Sequence, residues 1–241
     1  MLSIEDPGVI AALSPHPGDA VAGCGAVLAA VPGSSVVTVF AGVPDAAAPL
    51  TDEDRRRGYG DGQAAMRARL REDDKALHLL KAQALRLPFL DDRYVRVLEL
   101  AHPKVDKIAH ALQGILEKTR AHTILFPVGL FHQDQILVSD AALSLFAAMP
   151  GRRWIAYEDL LYGAKPGVLH ARLVQFFTRG ISLTPVGFPS TNTHRKATAT
   201  SAYASHATEP AAGKDAGQAA TPERYWLLSE SVKHPPESPS G

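Results

Sequence analysis

Short apolar, β-branched runs alternate along this chain with longer stretches of helical period, and that alternation confines it to a largely parallel sheet with crossover helices. Gly8 to Leu13, Ser35 to Ala41 (with Val36-Val37-Thr38-Val39-Phe40), Leu85 to Leu87, Thr123 to Pro127 and Arg153 to Tyr157 read as strands. Between them, 20–30, 52–80, 103–120 and 134–149 read as helices; Val105, Ile108, Leu112 and Ile115 step by three and four, the stripe of a helix laid on a sheet. The order β-α-β-α-β-α-β-α-β predicts an α/β, Rossmann-like, mostly parallel sheet covered on both faces.

The last third is less regular. A helix is expected over 194–206, a flexible Ala/Gly-rich insertion over 207–220, a closing strand or docked segment over 222–228 and a frayed tail over 234–241. No repeat and no composition boundary interrupts the chain, so residues 1–241 are expected to form one domain.

Composition narrows the partners. The 25 basic and 25 acidic side chains cancel, which removes the global field that would draw nucleic acid or an anionic membrane surface. A small molecule or another protein, a homo-oligomer partner included, is expected. The one cysteine, Cys24, precludes an intramolecular disulfide. With no basic leader and no apolar run of spanning length, the expectation is a soluble cytoplasmic protein.

Ligands of open parallel sheets bind where strand C-termini feed the next helices. Two polar clusters fall at such ends: Ser14-Pro15-His16-Pro17-Gly18-Asp19 and Gly129-Leu130-Phe131-His132-Gln133-Asp134-Gln135. His16 with Asp19 is half of a metal site by residue type, but an N-capping Asp19 and a solvated His16 account for the pattern equally well. His132 and Asp134 fit a plain helix entry. Cys24, between Gly23 and Gly25 in a predicted helix, reads as a small buried residue rather than a ligand or nucleophile. No phosphate-binding loop and no nucleophile elbow is present.

Pro15-His16-Pro17-Gly18-Asp19-Ala20 with Cys24-Gly25 resembles the first signature of the PIG-L/LmbE-like zinc N-deacetylases, and His132-Gln133-Asp134-Gln135 resembles their second, His-x-Asp-His. Leu90-Asp91-Asp92, the Arg/Glu-rich stretch 69–73, Tyr157-Glu158-Asp159, Tyr203-Ala204-Ser205-His206 and Pro222-Glu223-Arg224-Tyr225-Trp226 agree with that family, so the resemblance spans 9–228. It implies zinc held by His16, Asp19 and the residue at 135, a general base at 18, and an oxyanion-stabilising His132 tuned by Asp134. It also implies an N-acetylated sugar or similar amide as ligand, with Arg71, Asp91 and Asp92 as candidates for binding it. This chain departs from the pattern twice: Gln135 stands where the third ligand His belongs, and Gly18 stands where the base belongs.

An amide oxygen is a poorer zinc donor than imidazole, so the departure at 135 predicts reduced occupancy. Loss of a general base costs about 10²- to 10⁴-fold in rate. His206 is the candidate compensating ligand. Three readings follow: a catalytically degenerate deacetylase homologue that keeps an amide pocket, which is favoured; an active metal-dependent amidohydrolase with a rearranged site; and a structural or regulatory protein with a vestigial cleft.

Overall fold

The computed structural model describes residues 2–45, 48, 50–159, 167–203 and 222–231. The chain runs through β1 (Leu2–Ser3), β2 (Ile10–Ser14), α1 (Asp19–Ala30), β3 (Ser35–Thr38), α2 (Asp52–Arg56), α3 (Gly62–Leu80), β4 (Gln83–Arg86) and α4 (Asp92–Val97). It continues through α5 (Val105–Leu116), β5 (Thr123–Pro127), α6 (Gln133–Ala148), β6 (Arg153–Tyr157), α7 (Val168–Thr178), β7 (Ile181–Gly187), α8 (Thr193–Thr200) and β8 (Tyr225–Glu230). The strands form one eight-stranded sheet in the order β1-β7-β8-β6-β5-β2-β3-β4. Every pairing is parallel except those of β8, which runs antiparallel between β6 and β7.

The expected α/β architecture with a mostly parallel sheet is therefore present. Strands β2 and β5 are buried along their whole length, which is why they read as continuous apolar runs rather than alternating ones. Alternate residues feed two cores: Ala11, Leu13, Ile124 and Phe126 face one cluster with α5 and α6, while Ile10, Ala12 and Leu125 face another with α1 and Ala199 of α8. The sheet is thus covered on both sides.

Several boundaries differ from expectation. The stretch 52–80 is two helices, because Thr51 and Asp61 each cap a separate start with a side-chain oxygen, on Asp54 and Ala64. A short helix absent from the expected order, α4, follows β4, capped by the Asp91 side chain. In the irregular last third, α7 and β7 form a further helix and strand. Helix α8 stops at Thr200, ahead of the expected His206; the predicted insertion 207–220 and tail 234–241, with His206 itself, lie outside the described residues.

Helix α1 is bent at Cys24, whose φ of −144° and ψ of 19° are not helical. In a regular helix the Ala26 amide would bond to the Ala22 carbonyl. Here the Ala26 amide donates to Glu223 Oε1 at 2.9 Å and the Ala22 carbonyl accepts from Lys196 Nζ at 2.6 Å. The two side chains pair with each other at 2.7 Å, so an ion pair is inserted into the helix ladder. Gly25 leaves room for the Lys196 stem, which would lie 3.1 Å from a Cβ there.

Candidate functional site

The turn after β2 is tied tightly. Ser14 Oγ donates to the His16 carbonyl at 2.7 Å and accepts from the Ala20 amide at 3.0 Å. Gly18 is the residue before α1, with φ 97° and ψ −23°, a region that only glycine occupies without strain. Asp19 does not cap the helix, contrary to the simple expectation from its position. It folds back, and its Oδ2 accepts from the His16 amide at 3.0 Å and lies 3.1 Å from His16 Nδ1.

The second cluster approaches the same imidazole. His132 is the N-cap of α6, and its Nδ1 accepts from the Asp134 amide at 3.2 Å, which leaves the ring proton on Nε2. Asp134, fully buried, places Oδ2 2.8 Å from His16 Nε2 and accepts there from the Asp92 amide at 2.9 Å. Asp91 Oδ2 lies 3.8 Å from the same nitrogen. The rings of His16 and His132 meet edge to face at 5.0 Å, and Phe40 stands against His16 at 5.8 Å.

Three carboxylates, those of Asp19, Asp91 and Asp134, thus surround one imidazole. Burial alone would lower the His16 pKa, but these neighbours outweigh it and hold His16 well above its ordinary value. Burial likewise works to raise Asp91, yet His16 and the Arg93 guanidinium keep its carboxyl well below the usual range. His132 is pushed down by burial and by the charge on His16, so it is neutral.

Of the residues singled out in the sequence, the fold brings His16, Asp19, Asp91, Asp92, His132 and Asp134 together. Arg71 is exposed on α3, two residues from the buried Asp73 and therefore on another side of the helix. Asp91 and Asp92 are buried: Asp91 is clamped by Arg93 at 2.6 Å, and Asp92 is paired with Arg96. Gln135 is buried in the first turn of α6, and its Oε1 has no hydrogen-bond partner among the described residues.

The residues present fit a metal ion. Donor atoms of His16, His132 and Asp134 lie within 4.8 Å of one another, two imidazoles and a carboxylate, which is an ordinary zinc donor set. Asp134 Oδ1 is also buried with no hydrogen-bond partner among the described residues.

Sequence reasoning missed several supporting residues. Arg93 links Asp91 to Glu53 of α2 at 2.8 Å. Asp73 of α3 bonds the Gly18 amide at 3.1 Å and the Tyr203 hydroxyl at 2.8 Å. Arg69 pairs with Asp54 at 2.5 Å and bonds the Tyr94 hydroxyl at 3.0 Å. A signal was available for two of them: Arg69 and Asp73 share the stripe of Ala76 and Leu80, so both are charges on the buried face of an amphipathic helix.

The sequence matches no family model, and no curated protein matches it. Solved structures do match. The A40926 pseudoaglycone deacetylase is 25% identical with a TM-score of 0.71, covering 95% of this chain and 100% of its own. The zinc-inhibited form of teicoplanin deacetylase Orf2 is 22% identical with a TM-score of 0.72, covering 94% and 100%. A deacetylase–teicoplanin complex is 22% identical with a TM-score of 0.70 over the same shares. The fold is that of these deacetylases, as the PIG-L/LmbE-like resemblance implied.

Proposed function

We propose, from the premise of a PIG-L/LmbE-like deacetylase fold, that this chain is a metal-binding N-deacetylase homologue for a small N-acetylated ligand, with hydrolysis weakened at Gly18. The observation that carries this is the convergence of His16, His132 and Asp134. These residues would hold zinc, in place of the His16, Asp19 and Gln135 set that the motif alignment implies. Bound zinc supplies Lewis acidity and lowers the pKa of its water to about 7.

The protein residues supply the rest. Asp19 orients the His16 ring through Nδ1, the outer-shell partner that metal-bound histidines usually have. Neutral His132 would give the metal the lone pair of one ring nitrogen, so the oxyanion-stabilising role that the resemblance implies for it is not open to it on this reading. Position 18 offers only a backbone, so no carboxylate stands there to take the proton of an attacking water. The teicoplanin complex among the similar structures supports an N-acetylated glycopeptide or sugar as the ligand class.

The test is zinc per chain after re-incubation, followed by acetate release from N-acetylglucosamine-containing substrates. About one zinc per chain is expected, lost in His16→Ala and Asp134→Asn, with turnover far below the 1 s⁻¹ common among enzymes. A folded protein that retains no zinc overturns the metal reading. Turnover at or above about 1 s⁻¹ overturns the missing base.

One observation favours the second reading, an active hydrolase with a rearranged site. Asp19 stands outside the His16, His132 and Asp134 trio with its side chain 25% exposed, a carboxylate placed to act as base. On that reading Asp19→Asn abolishes acetate release and leaves zinc content near one per chain.

A further inference from the structure

Asp73 is a buried carboxylate, 1% exposed, on the inner stripe of α3. Its Oδ1 accepts from the Gly18 amide at 3.1 Å and from the Tyr203 hydroxyl at 2.8 Å, while Arg86 Nη2 lies 3.6 Å from Oδ2. It therefore joins α3, the turn after β2 and the chain just beyond α8 at a single residue. Gly18 has no side chain with which to anchor itself; the peptide after it is held by the Ala22 amide on the Gly18 carbonyl at 2.9 Å and the Asp19 amide on the His16 carbonyl at 3.2 Å, while the peptide before it is held through the Gly18 amide by Asp73.

The residue that follows Gly18 is Asp19, whose Oδ2 contacts both the amide and Nδ1 of His16. Rotation of the Gly18 peptide would swing that carboxylate away from the imidazole. We propose that Asp73 is a positioning residue for the site: by gripping the Gly18 amide it fixes Asp19 against His16 and so sets the orientation of the His16 ring. The metal-affinity part of this inference rests on the zinc reading above; the grip on Gly18 does not.

Two readouts separate the two. Gly18 amide exchange is measured on the metal-free protein, and zinc affinity by titration, in wild type, Asp73→Asn, which keeps an acceptor oxygen, and Asp73→Leu, which has none. A partner that only orients a metal ligand changes affinity by about 10- to 100-fold. Asp73 acts on the ligand only through Asp19, so Asp73→Leu is expected to weaken zinc at the lower end of that range, about 10-fold, and to speed Gly18 exchange, with Asp73→Asn close to wild type in both.

A folded Asp73→Leu with wild-type zinc affinity and wild-type Gly18 exchange overturns the proposal, as does an Asp73→Asn that behaves like Asp73→Leu. A wild-type protein that takes no zinc defeats the metal reading instead, and the exchange rates then decide the role of Asp73. Should Asp73→Leu not fold, Tyr203→Phe removes the hydroxyl that fixes the carboxylate. Faster Gly18 exchange is expected there, and no change overturns the proposal.

Discussion

At position 18 a single φ angle links the chemistry to the backbone. Gly18 holds φ 97°, where a Cβ meets the following carbonyl. Gly18→Asp, which would rewrite the turn toward the family pattern, is expected to cost about 1–2 kcal/mol for that conformation, seen as a lower urea midpoint at unchanged slope. Installing the carboxylate thus works against the turn that presents His16. The two clusters were legible in the sequence because each interrupts a buried strand with His and Asp where a parallel sheet opens. How their side chains pair was not: Asp134 reaches His16 across 118 residues, and nothing local to either motif encodes a 2.8 Å contact between them. The buried placement of Asp91 and Asp92 was hidden for the same reason, since Arg93, Arg96 and the approach of α6 decide it.

Helix α1 shows what an element-scale reading misses. Its small residues announced a helix packed closely on a sheet, and that held: a Cβ at Gly23 would meet the Tyr157 ring at 2.5 Å. The bend at Cys24 was not legible, because the groups that fill the broken ladder come from Lys196 and Glu223, far along the chain. Lys196 is 2% exposed, so removing one partner leaves the other charge buried. Lys196→Met is expected to cost about 3–5 kcal/mol in denaturant unfolding. Pairing it with Glu223→Gln is expected to cost less than the sum of the two single changes, because the stranded charge is gone. The absence of coupling in that cycle would mean the pair does not act as a unit.

For the whole molecule, buried groups among the described residues pull stability both ways as pH changes, and His132, with its lowered folded pKa, adds stability as pH rises toward about 6.5. Asp91 has a depressed folded pKa, so its contribution is present above about pH 4 and is lost as pH falls below. His16 has a raised one; in the metal-free protein its contribution is full below about pH 6.5 and is lost as pH rises through the folded value. Asp73 is raised by burial to about 6, against the lowering effect of Tyr203, Arg86 and the Gly18 amide, so stability falls as pH rises from about 4 to 6. The shift corresponds to about 3 kcal/mol at most. Urea midpoints of the metal-free protein are expected to decline above about pH 6.5, and between about pH 4 and 6 the wild type is expected to lose stability relative to Asp73→Asn. A difference between wild type and Asp73→Asn that stays constant over that interval would contradict the raised Asp73 pKa.

The position of β8 has a consequence for how the molecule comes into being. Among the described residues, strands β7 and β1 join the rest of the sheet only through β8, which pairs with β6 on its other side. A ribosome makes β8 last of the eight, so a nascent chain already carrying seven strands still has two facing edges, on β6 and β7, with no strand between them. Such edges template the wrong partners, and a chain stalled there has most of its core yet cannot close it. The turn that holds His16 is made early; the sheet behind it is completed only when Tyr225 to Glu230 emerge.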